Sequence, residues 1–142
     1  MDMLNLLNSA KTRWEPSDDS ARGSAGPFAC LDCLCPKNKP MVHLGWYNVY
    51  LALQPLYEEF KRLAKNPAVR EISFCGHSSG GVLASMCMTQ FCEEAQHEMA
   101  NFVSHGTEVK LLTIGQPRLG DDVFQQHFFD VSNPFREAGL LR

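Results

Sequence analysis

The sequence predicts an α/β protein, a mainly parallel sheet with flanking helices, and three observations carry that prediction. Two short β-type runs, residues 71–75 and 109–114, each end at a glycine. A long helical pattern, residues 82–101, lies between them. Another helical pattern precedes the first run. Strands that alternate with helices pair in parallel through crossover connections.

The elements follow in order. Residues 1–40 read as an irregular segment, with Pro16, Ser17, Asp18, Asp19, Gly23, Gly26 and Pro27 giving the composition of a surface loop. Residues 41–142 hold the ordered domain. Val49, Leu53, Leu56, Tyr57, Phe60 and Leu63 recur at helical spacing, with Glu58, Glu59, Lys61 and Arg62 opposite. Pro55 should kink that helix or start its second half, and Asn66-Pro67 should end it. The strand at 71–75 follows. Leu83, Met86, Cys87, Gln90, Phe91, Glu94 and Ala95 then mark a helix, with Gly106 as its C-terminal cap. After the second strand, residues 122–129 read as a short helix.

Composition excludes several classes. The formal charge is −3 and no basic stripe stands out, which argues against a nucleic-acid partner. No apolar run is long enough to span a bilayer. The first eight residues are too short and polar for a signal peptide, and a cytoplasmic location is expected; a truncated or processed chain would also lack a signal, so secretion stays open. Six cysteines fit reduced thiols better than a disulfide framework.

The chemistry is concentrated at Gly76-His77-Ser78-Ser79-Gly80-Gly81, a Gly-x-Ser-x-Gly between a predicted strand and a predicted helix. A serine at such a turn sits in a strained backbone conformation, with its Oγ lifted above the sheet at a helix N-terminus. The residues two before and two after it approach neighbouring backbone, so a Cβ at Gly76 or Gly80 is expected to clash. Gly80, Gly81, Ala84 and Ser85 are small enough to let the helix lie close on the sheet.

This segment resembles the Gly-His-Ser-Leu-Gly-Gly of the class 3, fungal-type lipases of the α/β-hydrolase superfamily. Two more pieces agree in order. Val42-His43-Leu44-Gly45-Trp46 is similar to the family's Val-His-x-Gly-Phe. Ile114-Gly115-Gln116-Pro117-Arg118-Leu119-Gly120-Asp121 is similar to its Phe-Gly-x-Pro-Arg-x-Gly-Asn/Asp. The resemblance implies a partial α/β-hydrolase fold and hydrolysis of acylglycerols or related lipid esters, possible at a lipid–water interface. Ser78 would be the nucleophile and the Ser79 backbone N–H an oxyanion donor, with a histidine held by an aspartate as base. Gly76, His77, Gly80, Gly81, His43, Gly115, Pro117 and Arg118 would support the elbow. No cofactor and no metal are implied.

The family's aspartate follows a strand reading Phe-Arg-Val-x-Asn-x-x-Asp, and nothing after Phe135-Arg136 matches it. The family's histidine has no counterpart either. Arg22-Gly23-Ser24 echoes the segment that supplies a second oxyanion donor, but without a strand before it. The competing reading is therefore a non-catalytic lipase-like protein, or a truncated product lacking the aspartate and histidine. A chain of this extent should leave open sheet edges and exposed apolar faces, and should be unstable alone.

The remaining candidates have plain readings. His97, His105 and His127 are expected at surfaces or helix ends, and Asp130 at the surface. Asp121 and Asp122 read as a helix cap with an acidic first turn. Cys30, Cys33 and Cys35, with His43 as a fourth ligand, do not have the usual spacing of a zinc module. They read as loop thiols. The sequence does not specify an oligomeric state.

Overall fold

The computed structural model describes residues 11–14 and 39–141. Cys30, Cys33, Cys35 and Arg22-Gly23-Ser24 lie outside them. Strand β1, Lys11–Arg13, pairs antiparallel with β2, Met41–His43. Part of the segment expected to be irregular is thus ordered. Its anchor is Trp14, which is buried and packs against Tyr47, Tyr50 and Phe124 with ring centroids 5.1–6.4 Å away. Burial of one large aromatic offsets the weakness of a three-residue strand.

The periodic stretch forms two helices, α1, Leu44–Ala52, and α2, Gln54–Ala64, so Pro55 starts a second half rather than kinking one helix. Pro55 lies in the first turn of α2, where its missing N–H is harmless. Strand β3, Glu71–His77, leads into α3, Ser79–Ala95. A single 3-10 turn, Gln96–Glu98, separates α3 from α4, Met99–His105. The pattern at 82–101 is therefore two helices. Gly106 ends the second with φ 64°, a left-handed conformation that glycine adopts without a Cβ penalty. Strand β4, Glu108–Ile114, precedes α5, Asp122–Glu137.

α5 is longer than the sequence predicts. Phe135 and Arg136 are helical, so they do not form the strand that their resemblance to Phe-Arg-Val would give. Val131 and Phe135 are buried against the core, and that packing carries the helix through Pro134. Past its end, Leu141 makes a parallel bridge to Val109 at the edge of β4.

β3 and β4 run parallel in the register Glu71↔Glu108 through His77↔Ile114, joined by the α3–α4 crossover. One sheet face meets α3 through Ile72, Phe74 and Val109. Phe60, Phe74, Phe91, Phe102 and Phe135 extend that core with ring centroids 5.4–5.9 Å apart. A second core gathers Trp14, Val42, Tyr50, Val82, Met86, Leu119 and Phe124. On the opposite sheet face Leu112 and Ile114 are 59% and 60% exposed. That is the uncovered apolar surface expected of a partial α/β fold. No helix among the described residues is long and apolar enough to cross a membrane.

Candidate active site

Ser78 is the single residue between β3 and α3. Its backbone stands at φ 52°, ψ −124°, and it is the only non-glycine residue with positive φ among the described residues. Such a conformation costs on the order of 1–3 kcal/mol and persists only where the surroundings impose it. Two hydrogen bonds do so. The Ser78 N–H donates to the Ile114 carbonyl at 2.8 Å, and the Gly81 N–H donates to the Ser78 carbonyl at 3.0 Å. Ser78 itself is exposed.

The glycines of the motif have unequal roles. A Cβ on Gly76 would stand 2.2 Å from the Gly80 carbonyl carbon and oxygen, so only glycine fits there. A Cβ on Gly80 would meet nothing within 4 Å, which corrects the expectation that both positions exclude a side chain. Gly80 serves by its backbone, as the surface Gly76 approaches. Gly81 is tight: a Cβ there would lie 3.2 Å from Gln116 Cβ and 3.3 Å from the Gly76 carbonyl oxygen.

Ser79 opens α3, and the first N–H groups of a helix have no intrahelical acceptor. Ser79 stands beside Ser78, where the helix dipole favours negative charge. His77 ends β3, exposed, with Nε2 3.9 Å from where a Cβ on Gly115 would stand. Gly115 has φ 61°, a left-handed conformation, just past the end of β4.

The other motif residues knit the scaffold. His43 Nδ1 accepts from the Gly45 N–H at 3.1 Å and caps α1. The His43 N–H donates to the Leu119 carbonyl at 3.0 Å. Asp121 caps α5 by accepting from the Phe124 N–H at 2.8 Å, and also accepts from the Met41 N–H at 3.2 Å. Arg118 donates to the Gly120 carbonyl at 2.9 Å and to Asp122 at 2.8 Å. Pro117 is exposed in the same connection.

No histidine or carboxylate among the described residues is hydrogen-bonded to the Ser78 hydroxyl. His127 pairs instead with Glu93, which also accepts from the Trp14 indole N–H at 3.1 Å. Glu93 lies near the far end of α3, roughly 20 Å along the helix from Ser79. His97 and His105 sit at that same end of the molecule's helices. Asp130 is exposed on α5 and accepts from Gln126 at 2.8 Å. Among the described residues no group of histidine, cysteine or acid side chains could hold a metal. A cleft of about 580 Å³ beside β4 is lined by Ser85, Leu111, Gln116, Arg118 and Phe128, and does not include Ser78.

Sequence reasoning passed over two contacts. Ser85 Oγ donates to Gln116 Oε1 at 3.0 Å, and Trp14 reaches Glu93. Neither has a local signal, since the partners are 31 and 79 residues apart.

A parallel strand that breaks into a helix over one strained, exposed serine defines an α/β protein built around an elbow. The sequence model for Lipase (class 3) matches residues 2–136. The chain belongs to the class 3 lipase family and thus to the α/β-hydrolases. It is similar to Phospholipase A1-IIgamma of Arabidopsis thaliana, 25% identical over 101 residues, an alignment covering 61% of this chain and 24% of that protein. The chain thus matches under two thirds of that relative's length. No solved structure matches.

Proposed function

We propose that the protein is a serine ester hydrolase of the lipase type, acting on an acylglycerol, phospholipid or related lipid ester. One observation carries this reading: the strained backbone at Ser78, φ 52° and ψ −124°, held by the Ile114 carbonyl. A strained residue at a surface turn is a functional feature more often than a structural one. Ser78 Oγ attacks the ester carbonyl. The carbonyl oxygen gains negative charge and accepts a hydrogen bond from the Ser79 N–H at the start of α3. The Ser78 proton passes to a general base, which returns it to the leaving alcohol as the ester C–O bond breaks, and water then cleaves the acyl-serine to release the acid and restore the hydroxyl. In this reading the base and its supporting acid come from outside the 142 residues. A reducing, cytoplasmic setting is part of the proposal; among the described residues Cys75, Cys87 and Cys92 are free thiols.

A non-catalytic lipase-like protein is the second reading. Its ground is that no residue of the sequence matches the family's aspartate or histidine. Covalent labelling by a fluorophosphonate separates the two. Labelling that disappears in Ser78→Ala supports the hydrolase. Labelling that persists in the variant removes Ser78 from the chemistry, and a full-length wild-type protein that never reacts favours the second reading.

A further inference from the structure

Ile114, Gly115 and Gln116 are consecutive, and they grip the elbow from two sides. The Ile114 carbonyl accepts the Ser78 N–H at 2.8 Å. Gly115, at φ 61°, takes a left-handed conformation immediately afterwards. Gln116 is thereby brought over the face of α3 that lies on the sheet. Its Cβ stands 3.2 Å from the place a Cβ on Gly81 would occupy. Its Oε1 accepts the Ser85 hydroxyl at 3.0 Å. Gly81 and Ser85 are four residues apart, so they are neighbours along one face of the helix. The Gln116 side chain spans them. Ser85 is buried, which makes the hydroxyl's partner costly to remove.

We propose that Gln116 is a positioning residue for the elbow. With Ser85 it pins the first two turns of α3 to the end of β4, so that the Ser79 N–H keeps its place beside the Ser78 hydroxyl. The inference rests on the reading of Ser78 as a nucleophile. Gly81 has to be small for Gln116 to lie flat, and Gly115 has to be left-handed for it to arrive. Two glycines of the motif thus acquire a common purpose in seating one amide side chain.

The test is the rate of fluorophosphonate labelling of the full-length protein, resolved into the maximal inactivation rate and the probe concentration giving half of it. Gln116→Met keeps the length of the side chain and removes the acceptor. Ser85→Ala removes the donor. Each is expected to lower the maximal rate on the order of tenfold with the half-saturating concentration unchanged, since small misplacements of reacting groups act on the chemical step. The double variant is expected to be no slower than either single one, because both changes delete one contact. Rates within twofold of wild type in both single variants, while Ser78→Ala abolishes labelling, would overturn the positioning role and leave the nucleophile standing. A loss confined to the half-saturating concentration, or fully additive losses, would overturn it too. A full-length wild-type protein that does not label removes both readings together. If Ser85→Ala does not fold, Gln116→Met decides alone, because Gln116 is only half-buried.

Discussion

The Ser78 N–H donates to the Ile114 carbonyl across the ends of two parallel strands, 2.8 Å apart. This bond closes the last pair of the β3–β4 register, His77↔Ile114, just where β3 stops being a strand. The chain turns into α3 while still tied to the sheet. The strain at Ser78 is thus imposed from β4, and the glycine at position 76 is what lets the turn close.

Gly76→Ala should therefore disrupt the elbow, while Gly80→Ala should not. A methyl at 76 meets backbone at 2.2 Å, and backbone cannot swing aside as a side-chain end can. The expected cost is about 3 kcal/mol. Gly80 is helical with open space around its Cβ position, so alanine there should be neutral or stabilising by up to about 1 kcal/mol. Thermal melts of the two variants check the asymmetry. Equal losses would mean that the two glycines are constrained alike.

Asp121 joins two pieces of the fold that the sequence presents separately. One carboxylate oxygen, Oδ1, accepts from the Phe124 N–H in α5 and from the Met41 N–H in β2. Asp121→Ala should cost about 1–2 kcal/mol. Asp121→Asn keeps an acceptor oxygen and should recover most of that. Urea titration of both variants reads the difference. Similar midpoints for Ala and wild type would show that the cap contributes nothing.

The legible part of the fold was the part with local causes. β3, α3 and β4 follow from hydrophobic period and terminal glycines, and Pro55 marks the α1–α2 break from its ring alone. β1 was not legible, because three residues become a strand only through pairing with β2 and through Trp14 packing on rings from α1 and α5. The end of α5 was hidden in the same way. The sequence reading stops at residue 129, and burial of Val131 and Phe135 keeps Ser132-Asn133-Pro134 helical. In the site, Ser78 and Gly76 could be read from spacing. The indifference of Gly80 to a Cβ, and the Gln116–Ser85 contact, depend on three-dimensional approach and could not.

Stability should fall in alkaline solution. Burial pushes the Cys87 thiol up to about 11 and, with Glu93 adding to it, the Cys92 thiol up to about 12. Burial also raises the phenols of Tyr50 and Tyr57. The unfolded chain releases these protons earlier than the folded one does. Above the ordinary thiol value of 9.0 the unfolded state therefore binds fewer protons, and unfolding becomes easier as pH rises. The melting temperature should be flat up to about pH 9 and decline beyond it. Cys92→Ala should make that decline shallower. In the native chain at neutral pH, exposed Cys75 should alkylate before Cys87 and Cys92. Mass-spectrometric mapping that found Cys92 modified first would contradict this burial.

Trp14 ties the N-terminal strand to both major helices, and two substitutions separate its two roles. Its ring is 4% exposed among Tyr47, Tyr50 and Phe124, and its indole N–H reaches Glu93 on α3, which also holds His127 of α5. Trp14→Phe keeps an apolar ring and deletes the donor. Glu93 Oε2 is already buried without a partner, so losing a donor to Oε1 leaves the carboxylate less compensated. The expected cost is about 1–2 kcal/mol. Trp14→Ala also opens a cavity and should cost about 3–5 kcal/mol. For a domain of this size each kcal/mol lowers the melting temperature by about 3 °C, so the two variants should be resolved in one thermal scan. A Trp14→Ala protein that melts like wild type would show that β1 and its tryptophan add nothing to the core. A Trp14→Phe protein that melts like Trp14→Ala would assign the whole effect to the indole N–H and its hold on Glu93.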